Sequence, residues 1–183
     1  KLPAGSVAAV GVFAIFPSPS RNGTAMYPTN HDLPVENRER VATILQTALY
    51  EALELKLRVK EAHWTVRGPN FSELHALFDK IASDADDYAD DFAERSIALG
   101  FPVKGKAADI AGAVTLLPPF APATHQGPDV LRAVIATVAK FAKNVRFAIE
   151  ATASEKDAGT SDLFTGTSRS VDKWLWMLEA HTG

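Results

Sequence analysis

Between His63 and Glu94 the chain carries five side chains able to bind a metal ion: His63, His75, Asp79, Asp90 and Glu94. Two imidazoles and three carboxylates suit iron, manganese or zinc at divalent charge, and a carboxylate-rich set favours the harder, oxygen-loving metals among these. The direction in which they point sets what they can do. With residues placed at about 100° per step around a helix and His75 at zero, Phe71, Leu74, Leu77, Phe78, Ile81, Ala85, Tyr88, Phe92 and Leu99 form an arc centred roughly 100° to one side. That arc is wide enough to be the core face of a bundle helix. His75, Asp79, Asp86, Asp90 and Glu94 form a second arc centred about 40–50° to the other side. A metal site inside one four-helix bundle needs its ligands aimed at the core, and these ligands face away from it.

Asp79 and Asp90 are about 16 Å apart along such a helix, far beyond the reach of one metal ion, so a single copy cannot close the site. An antiparallel meeting of the helix with a second copy about a two-fold axis near Asp84 and Ala85 brings His75 and Asp79 of one chain opposite Asp90 and Glu94 of the other. The small residues Ala82, Ser83 and Ala89 are expected to permit close approach there, and His63, from the preceding helix, completes the cluster. The run Asp84, Asp86, Asp87, Asp90, Asp91 has little compensation nearby in sequence, and like charges four residues apart repel, so a bound cation would offset the crowding. The competing reading is an acidic face that is simply solvated.

The elements that position these residues follow from punctuation and periodicity. Leu33-Pro34 precedes an amphipathic stretch from about Val35 to Val66, which Arg67-Gly68-Pro69-Asn70 breaks. Asn70 and Glu73 form a capping pair for a second helix ending at Gly100. A short helix is expected near Ala107 to Val114, then an irregular stretch with prolines at 118, 119, 122 and 128. A third long helix is predicted from about Asp129 to Ser154 and a fourth from about Ser161 to His181. The fold class is therefore all-α: a four-helix bundle with a short extra helix in the long connection between helices two and three, and no internal repeat. The domain spans residues 30–183, preceded by an extension over residues 1–29. A chain of 183 residues with 46% hydrophobic content can bury one core, its net charge of −3 gives no general attraction to nucleic acid, and zero cysteines exclude disulfides and thiol chemistry.

The apolar run Val7 to Phe16 with Gly23-Thr24-Ala25 has the outline of a signal peptide, but prolines at 17 and 19 follow it at once, and about ten apolar residues are too few to span a bilayer. The expectation is an ordered extension that packs Val10, Val12, Phe13, Ile15 and Phe16 on a neighbouring subunit; the alternative is that Met26 is the usual beginning.

The stretch Lys60-Glu-Ala-His-Trp-Thr-Val-Arg-Gly-Pro-Asn-Phe71, then Leu74-His75-Ala-Leu-Phe-Asp79, then Asp90-Asp-Phe-Ala-Glu94-Arg95, closely resembles the signature of the Dps family, the mini-ferritins named as DNA-binding proteins from starved cells. Thr165 to His181 is similar to the family's last helix, so the resemblance covers roughly residues 30 to 181. It implies a ferritin-like bundle and a ferroxidase site shared by two-fold-related subunits, with His63, His75 and Asp79 from one chain and Asp90 and Glu94 from its neighbour. It also implies oxidation of Fe(II) to Fe(III), with hydrogen peroxide favoured over dioxygen, mineral storage in a hollow shell, a dodecamer and protection of DNA from oxidative damage. Zinc or manganese at the same site stays open. Asp90 either binds metal or orients His63.

The resemblance places Trp64 beside the iron site as a guard against stray oxidants, although an aromatic there is as readily a packing residue. Trp174 and Trp176 read as core or interface residues, and His31, His125 and His181 as surface or supporting groups. Asp157 and Asp162, at the start of the last helix, suit capping and the helix dipole; in the family, acidic residues at this turn line a three-fold pore, for which Asp162 is the better match and Glu155 a weaker one. DNA binding is thinly supported, because only Lys1 and Arg21 precede Met26 as cations, and a handful of cations gives weak, salt-dependent attachment. The implied compartment is the cytoplasm, nucleoid-associated if DNA is bound, and no membrane partner is expected. Rival readings are a structural nucleoid protein and a zinc-binding interaction scaffold without redox activity; a large ferritin or di-iron oxidase would need Glu-x-x-His motifs, which the chain lacks.

Overall fold

The computed structural model describes residues 27–113 and 117–182, and the expected docking of Val10 to Phe16 lies outside them. Five helices follow in order: α1 (Val35–Thr65), α2 (Phe71–Ala98), α3 (Ala107–Gly112), α4 (Gly127–Ser154) and α5 (Ala158–Glu179). No strand occurs among the described residues; an isolated bridge joins Arg67 to Gln126. α1 packs chiefly on α2 and α4 on α5, and the two hairpins join mainly through α1 and α4. α1 and α4 are antiparallel: Asn37 Nδ2 donates to the Glu155 carbonyl at one end (3.1 Å), and Arg67 N donates to the His125 carbonyl at the other (2.9 Å). Leu45, Leu55, Phe78, Phe92, Phe141 and Phe164 are at most 1% exposed and fill the core, each worth about 1.5–3 kcal/mol of burial.

The helix ends show where backbone chemistry overrode the apolar pattern. α4 begins at Gly127, two residues before the expected Asp129, because Pro128 sits in its first turn, where proline's missing N–H costs nothing. α5 begins at Ala158, three residues before Ser161, because Asp157 caps it by accepting from Thr160 N (3.0 Å) and Thr160 Oγ1 (2.6 Å). The Asn70–Glu73 capping pair does not form; Asn70 makes no side-chain cap bond. Gly100 has φ +93°, and a Cβ there would lie 2.9 Å from the Tyr27 carbonyl, so glycine is needed to end α2 under the incoming chain. Tyr27 N donates to the Gly100 carbonyl (2.8 Å), and Arg38 donates to the carbonyls of Leu33 (3.0 Å) and Leu99 (2.6 Å). The segment from Tyr27 to Pro34 is thus tied to the far end of α2.

Burial on α2 follows the predicted core arc with one reversal. Leu74, Leu77, Phe78, Ile81, Ala85, Phe92 and Leu99 are buried, whereas Phe71, expected among them, is 44% exposed. Ala82 and Ala89 are buried inside the chain at 1% and 3%; of the three small residues expected at the outer face, only Ser83 is exposed. Trp174 is half-buried and packs against the core, whereas Trp176 is exposed and lies outside it.

One buried polar pair joins α1 to α4. Glu51 is 4% exposed and Asn144 7% exposed, and Asn144 Nδ2 donates to Glu51 Oε1 (2.8 Å). Asn144 Oδ1 is buried without a hydrogen-bond partner, so the pair is one donor short unless Glu51 is protonated. Burial pushes the Glu51 carboxyl up from 4.5 to about 7, with Glu54 adding to the rise and Asn144 and Lys140 opposing it. A carboxyl raised on folding contributes stability below its unfolded value and loses it as pH climbs through its folded value. Glu51→Gln, which keeps the shape without the charge, is therefore expected to melt progressively higher than the wild type as pH rises from 5 to 8. The gap should reach on the order of 1–3 kcal/mol. Parallel melting curves at all pH values, followed by circular dichroism, would show that Glu51 does not titrate there.

Candidate metal centre

The turn between α1 and α2 brings His63, near the end of one helix, against His75, in the second turn of the next. Their rings stack with centroids 3.6 Å apart at 24°. His63 Nδ1 donates to the His75 carbonyl and His75 Nδ1 donates to the His63 carbonyl, both at 2.8 Å. A carbonyl can only accept, so each Nδ1 must carry the proton, and each neutral ring keeps its lone pair at Nε2. Two half-buried imidazoles are thereby locked in the tautomer a metal needs, with orienting partners supplied by the backbone itself. The Phe71 ring rests on His75 at 5.0 Å and 33°, which is where the ring missing from the core arc is spent.

Asp79, one turn beyond His75, is exposed, and the Lys60 ammonium donates to its Oδ1. That contact, with smaller help from His63 and His75, holds the carboxyl below the usual carboxylate range despite a small opposing effect of burial. Lys56 pairs with Asp86 (2.7 Å) and Lys80 with Asp84. Asp84 and Asp86 of the acidic run thus have counter-charges that the sequence reading did not assign, while Asp87, Asp90 and Asp91 still crowd one another. Two of the pairing cations lie on α1, where Lys56, Lys60 and His63 share one side at a spacing of four and then three residues. Lys56 and Lys60 are neighbours of the site that reading α2 by itself did not reveal, and Phe71 is one that the reading assigned to the core.

Asp90 and Glu94 are exposed farther along α2. Asp91, next to them, has its carboxyl pushed up by partial burial and by the charges of Asp90 and Asp87. Among the described residues no group of three or more potential ligands converges within one chain. The structure stacks His63 on His75 and places Asp79 one turn farther along α2; Asp90 lies about 16 Å beyond Asp79 on the same helix, with Glu94 one turn farther. Trp64 is 69% exposed beside His63. His125 and His181 are exposed, and His31 Nδ1 accepts from Leu33 N (3.2 Å) in the leading segment.

The turn between α4 and α5 separates its acidic residues by task. Asp157 is 4% exposed and accepts from Arg95 Nη2 (2.8 Å) as well as from Thr160. Burial pushes its carboxyl up, but the Thr160 hydrogen bonds and the Arg95 guanidinium outweigh burial and hold it below the usual range. Glu155 accepts from Asn37 Nδ2 (3.1 Å) and pairs with Arg40 (2.7 Å). Asp162 alone of the three is exposed. Lys156, between them, adopts φ +64°, the left-handed conformation that reverses the chain in this tight turn.

A family model described as the ferritin-like domain matches residues 42–183. The DNA protection during starvation protein of Agrobacterium fabrum is 34% identical over 155 residues, covering 85% of this chain and 95% of that protein. The DNA protection during starvation protein 1 of Deinococcus radiodurans is 29% identical, covering 82% of this chain and 72% of that protein. Among solved structures, DpsA14 from Streptomyces coelicolor superposes with a TM-score of 0.80 at 27% identity, covering 86% of this chain and 92% of the other. Dps from Microbacterium arborescens, in the high iron form, gives 0.74 at 29% identity, covering 86% and 99%. An all-helical bundle of this order, with paired histidines at the first turn and near-full coverage of such relatives, leaves one assignment: the chain belongs to the Dps family of ferritin-like proteins.

Proposed function

We propose that the protein takes up Fe(II), oxidises it to Fe(III) at sites shared by two-fold-related subunits, and stores the ferric product within a homo-oligomeric shell. The observation that carries this reading is the reciprocal lock of His63 and His75, which leaves two Nε2 lone pairs beside Asp79 on the face of α2 turned away from its own core. Asp90 and Glu94 of a second copy supply the remaining carboxylates. A relative solved in a high iron form supports iron as the substrate. The same donor set accepts zinc or manganese as competitors.

The chemistry asks little of the protein beyond placement. The imidazoles are neutral donors, and Asp79 and Glu94 supply the negative charge that favours the ferric product. Asp90 binds directly in this reading, because the His63 Nδ1 it would otherwise orient already donates to the His75 carbonyl. Lys60 holds Asp79 in place until a metal ion replaces its ammonium. Two Fe(II) ions each give one electron to one hydrogen peroxide; the O–O bond breaks to two hydroxides, and no hydroxyl radical leaves. That two-electron accounting is the protective step, and Trp64, exposed beside His63, is placed to intercept a stray oxidant. Asp162 is the residue at the α4–α5 turn free to line a path for iron, since Asp157 is engaged in the helix cap. The shell is a dodecamer in this reading and works in the cytoplasm; no helix among the described residues is long and apolar enough to cross a membrane. DNA attachment is not part of the mechanism.

Stopped-flow absorbance of ferric formation after mixing Fe(II) with hydrogen peroxide tests the reading. The His63→Ala, Glu94→Ala double variant is expected to oxidise iron at least about tenfold more slowly than the wild type; equal rates would leave an acidic scaffold without redox activity. Separately, nitrogen chemical shifts of labelled histidine in the metal-free protein should report Nδ1–H and bare Nε2 for both His63 and His75. The opposite tautomer at either residue would remove the lock.

A further inference from the structure

We propose that Phe71 and Ile97 are the apolar ends of the α2 stripe and pack on each other between two copies of this chain, closing each shared site at its outer end and holding His75 against His63. The inference rests on the two-fold reading above and adds to it the contact that seals the site. Phe71 and Ile97 are 44% and 43% exposed, the two large apolar side chains that α2 leaves open. At about 100° per residue, Ile97 shares the angular position of Asp79, inside the ligand stripe, one turn beyond Glu94; Phe71 lies on its near edge, one turn before His75. Along the stripe the order is therefore apolar, ligand, ligand, ligand, ligand, apolar.

The spacing is symmetric. His75 with Glu94 and Asp79 with Asp90 share a midpoint between Asp84 and Ala85, and Phe71 with Ile97 has its midpoint at Asp84, half a residue away. An antiparallel pairing that closes the ligand set therefore also brings Phe71 of one copy level with Ile97 of the other along the helix axis. Within its own chain Phe71 already touches the outer face of the His75 imidazole. An aliphatic side chain on the far side of Phe71 would fix that ring, and through it the imidazole stack, while removing two exposed apolar surfaces from water. Phe71 is thus a positioning residue that acts through His75, and the second copy is the partner that completes it.

The absence of cysteine from the chain makes a direct test available. In the full-length Phe71→Cys, Ile97→Cys variant the two sulfurs are about 39 Å apart along one helix, and a disulfide needs Cα atoms within about 7 Å, so any bond formed joins two chains. Mild oxidation is expected to convert most of this variant to covalent dimer on a non-reducing gel. A Phe71→Cys, Glu150→Cys control should stay single-chain. No dimer, or equal dimer in both, overturns the proposal.

Without cross-linking, Phe71→Ala and Ile97→Ala should each weaken Co(II) binding, read by its visible absorption, by about tenfold. The double variant should be no weaker than either alone, and Phe71→Leu should recover most of the loss. Independent, multiplying losses would show that the two residues do not meet. These readouts need no iron oxidation. If the cross-link forms while His63→Ala, Glu94→Ala leaves oxidation unchanged, the ferroxidase reading falls and the interface stands. If oxidation collapses in that variant and the cross-link is absent, the interface falls alone.

Discussion

The register of α1 against α2 is visible in three side-chain pairs spaced along their shared outer edge: Lys56 with Asp86, Lys60 with Asp79 and His63 with His75. Displacing α1 by one residue would rotate the lysines off the edge and break both ring-to-carbonyl bonds. The ion pairs do not set this register, since exposed pairs are worth about 0–1 kcal/mol each. Burial of Leu55, Val59 and Ala62 on one helix and Leu74, Phe78, Ile81 and Ala85 on the other does, because each of these side chains is at most 2% exposed and the core has no slack for a slip. The polar edge is carried by an apolar interior that contains none of the ligands.

That division of labour explains how the proposed ligands, half-buried or exposed, keep their orientation at the edge of the bundle. His63 and His75 are oriented by main-chain carbonyls of the two helices, which the core holds still, so no further side chain is needed to aim them. Asp79 is held by Lys60, which also keeps a carboxylate beside two imidazoles from standing alone. A buried polar pair lies elsewhere: Glu51 and Asn144 join α1 to α4, and the protonation of Glu51 concerns stability rather than metal.

Much of this was legible in the residues. The two faces of α2 separate on a helical wheel, and burial at Leu74, Phe78, Ile81 and Phe92 against exposure at Asp79, Asp86, Asp90 and Glu94 repeats that separation. Asp157 was legible as a cap and does cap α5 through Thr160, but other helix ends were less so: Asn70 makes no side-chain cap bond, and Pro128 sits in the first turn of α4 rather than before it. The ion pairs of Asp79 and Asp86 were missed for another reason: Lys60 and Lys56 are about twenty to thirty residues away in sequence, and only the packing of the α1–α2 hairpin brings them together. Phe71 was misplaced because it sits at the margin of the apolar arc, in the first turn of α2, where its ring rests on an imidazole instead of the core.

Arg95 adjoins Glu94 on α2, and its guanidinium grips Asp157 and Thr160 at the head of α5. The part of α2 that carries Glu94 is therefore anchored to the place where α5 begins. Turns between helices are ordinarily where chains tolerate insertions and deletions. At Glu155–Lys156–Asp157 a change of one residue would carry Asp157 away from Arg95 and leave a charged group buried without its partner. Length variation in this turn should accordingly be rare among functional descendants of the chain, even though the turn lies on another hairpin from every proposed ligand.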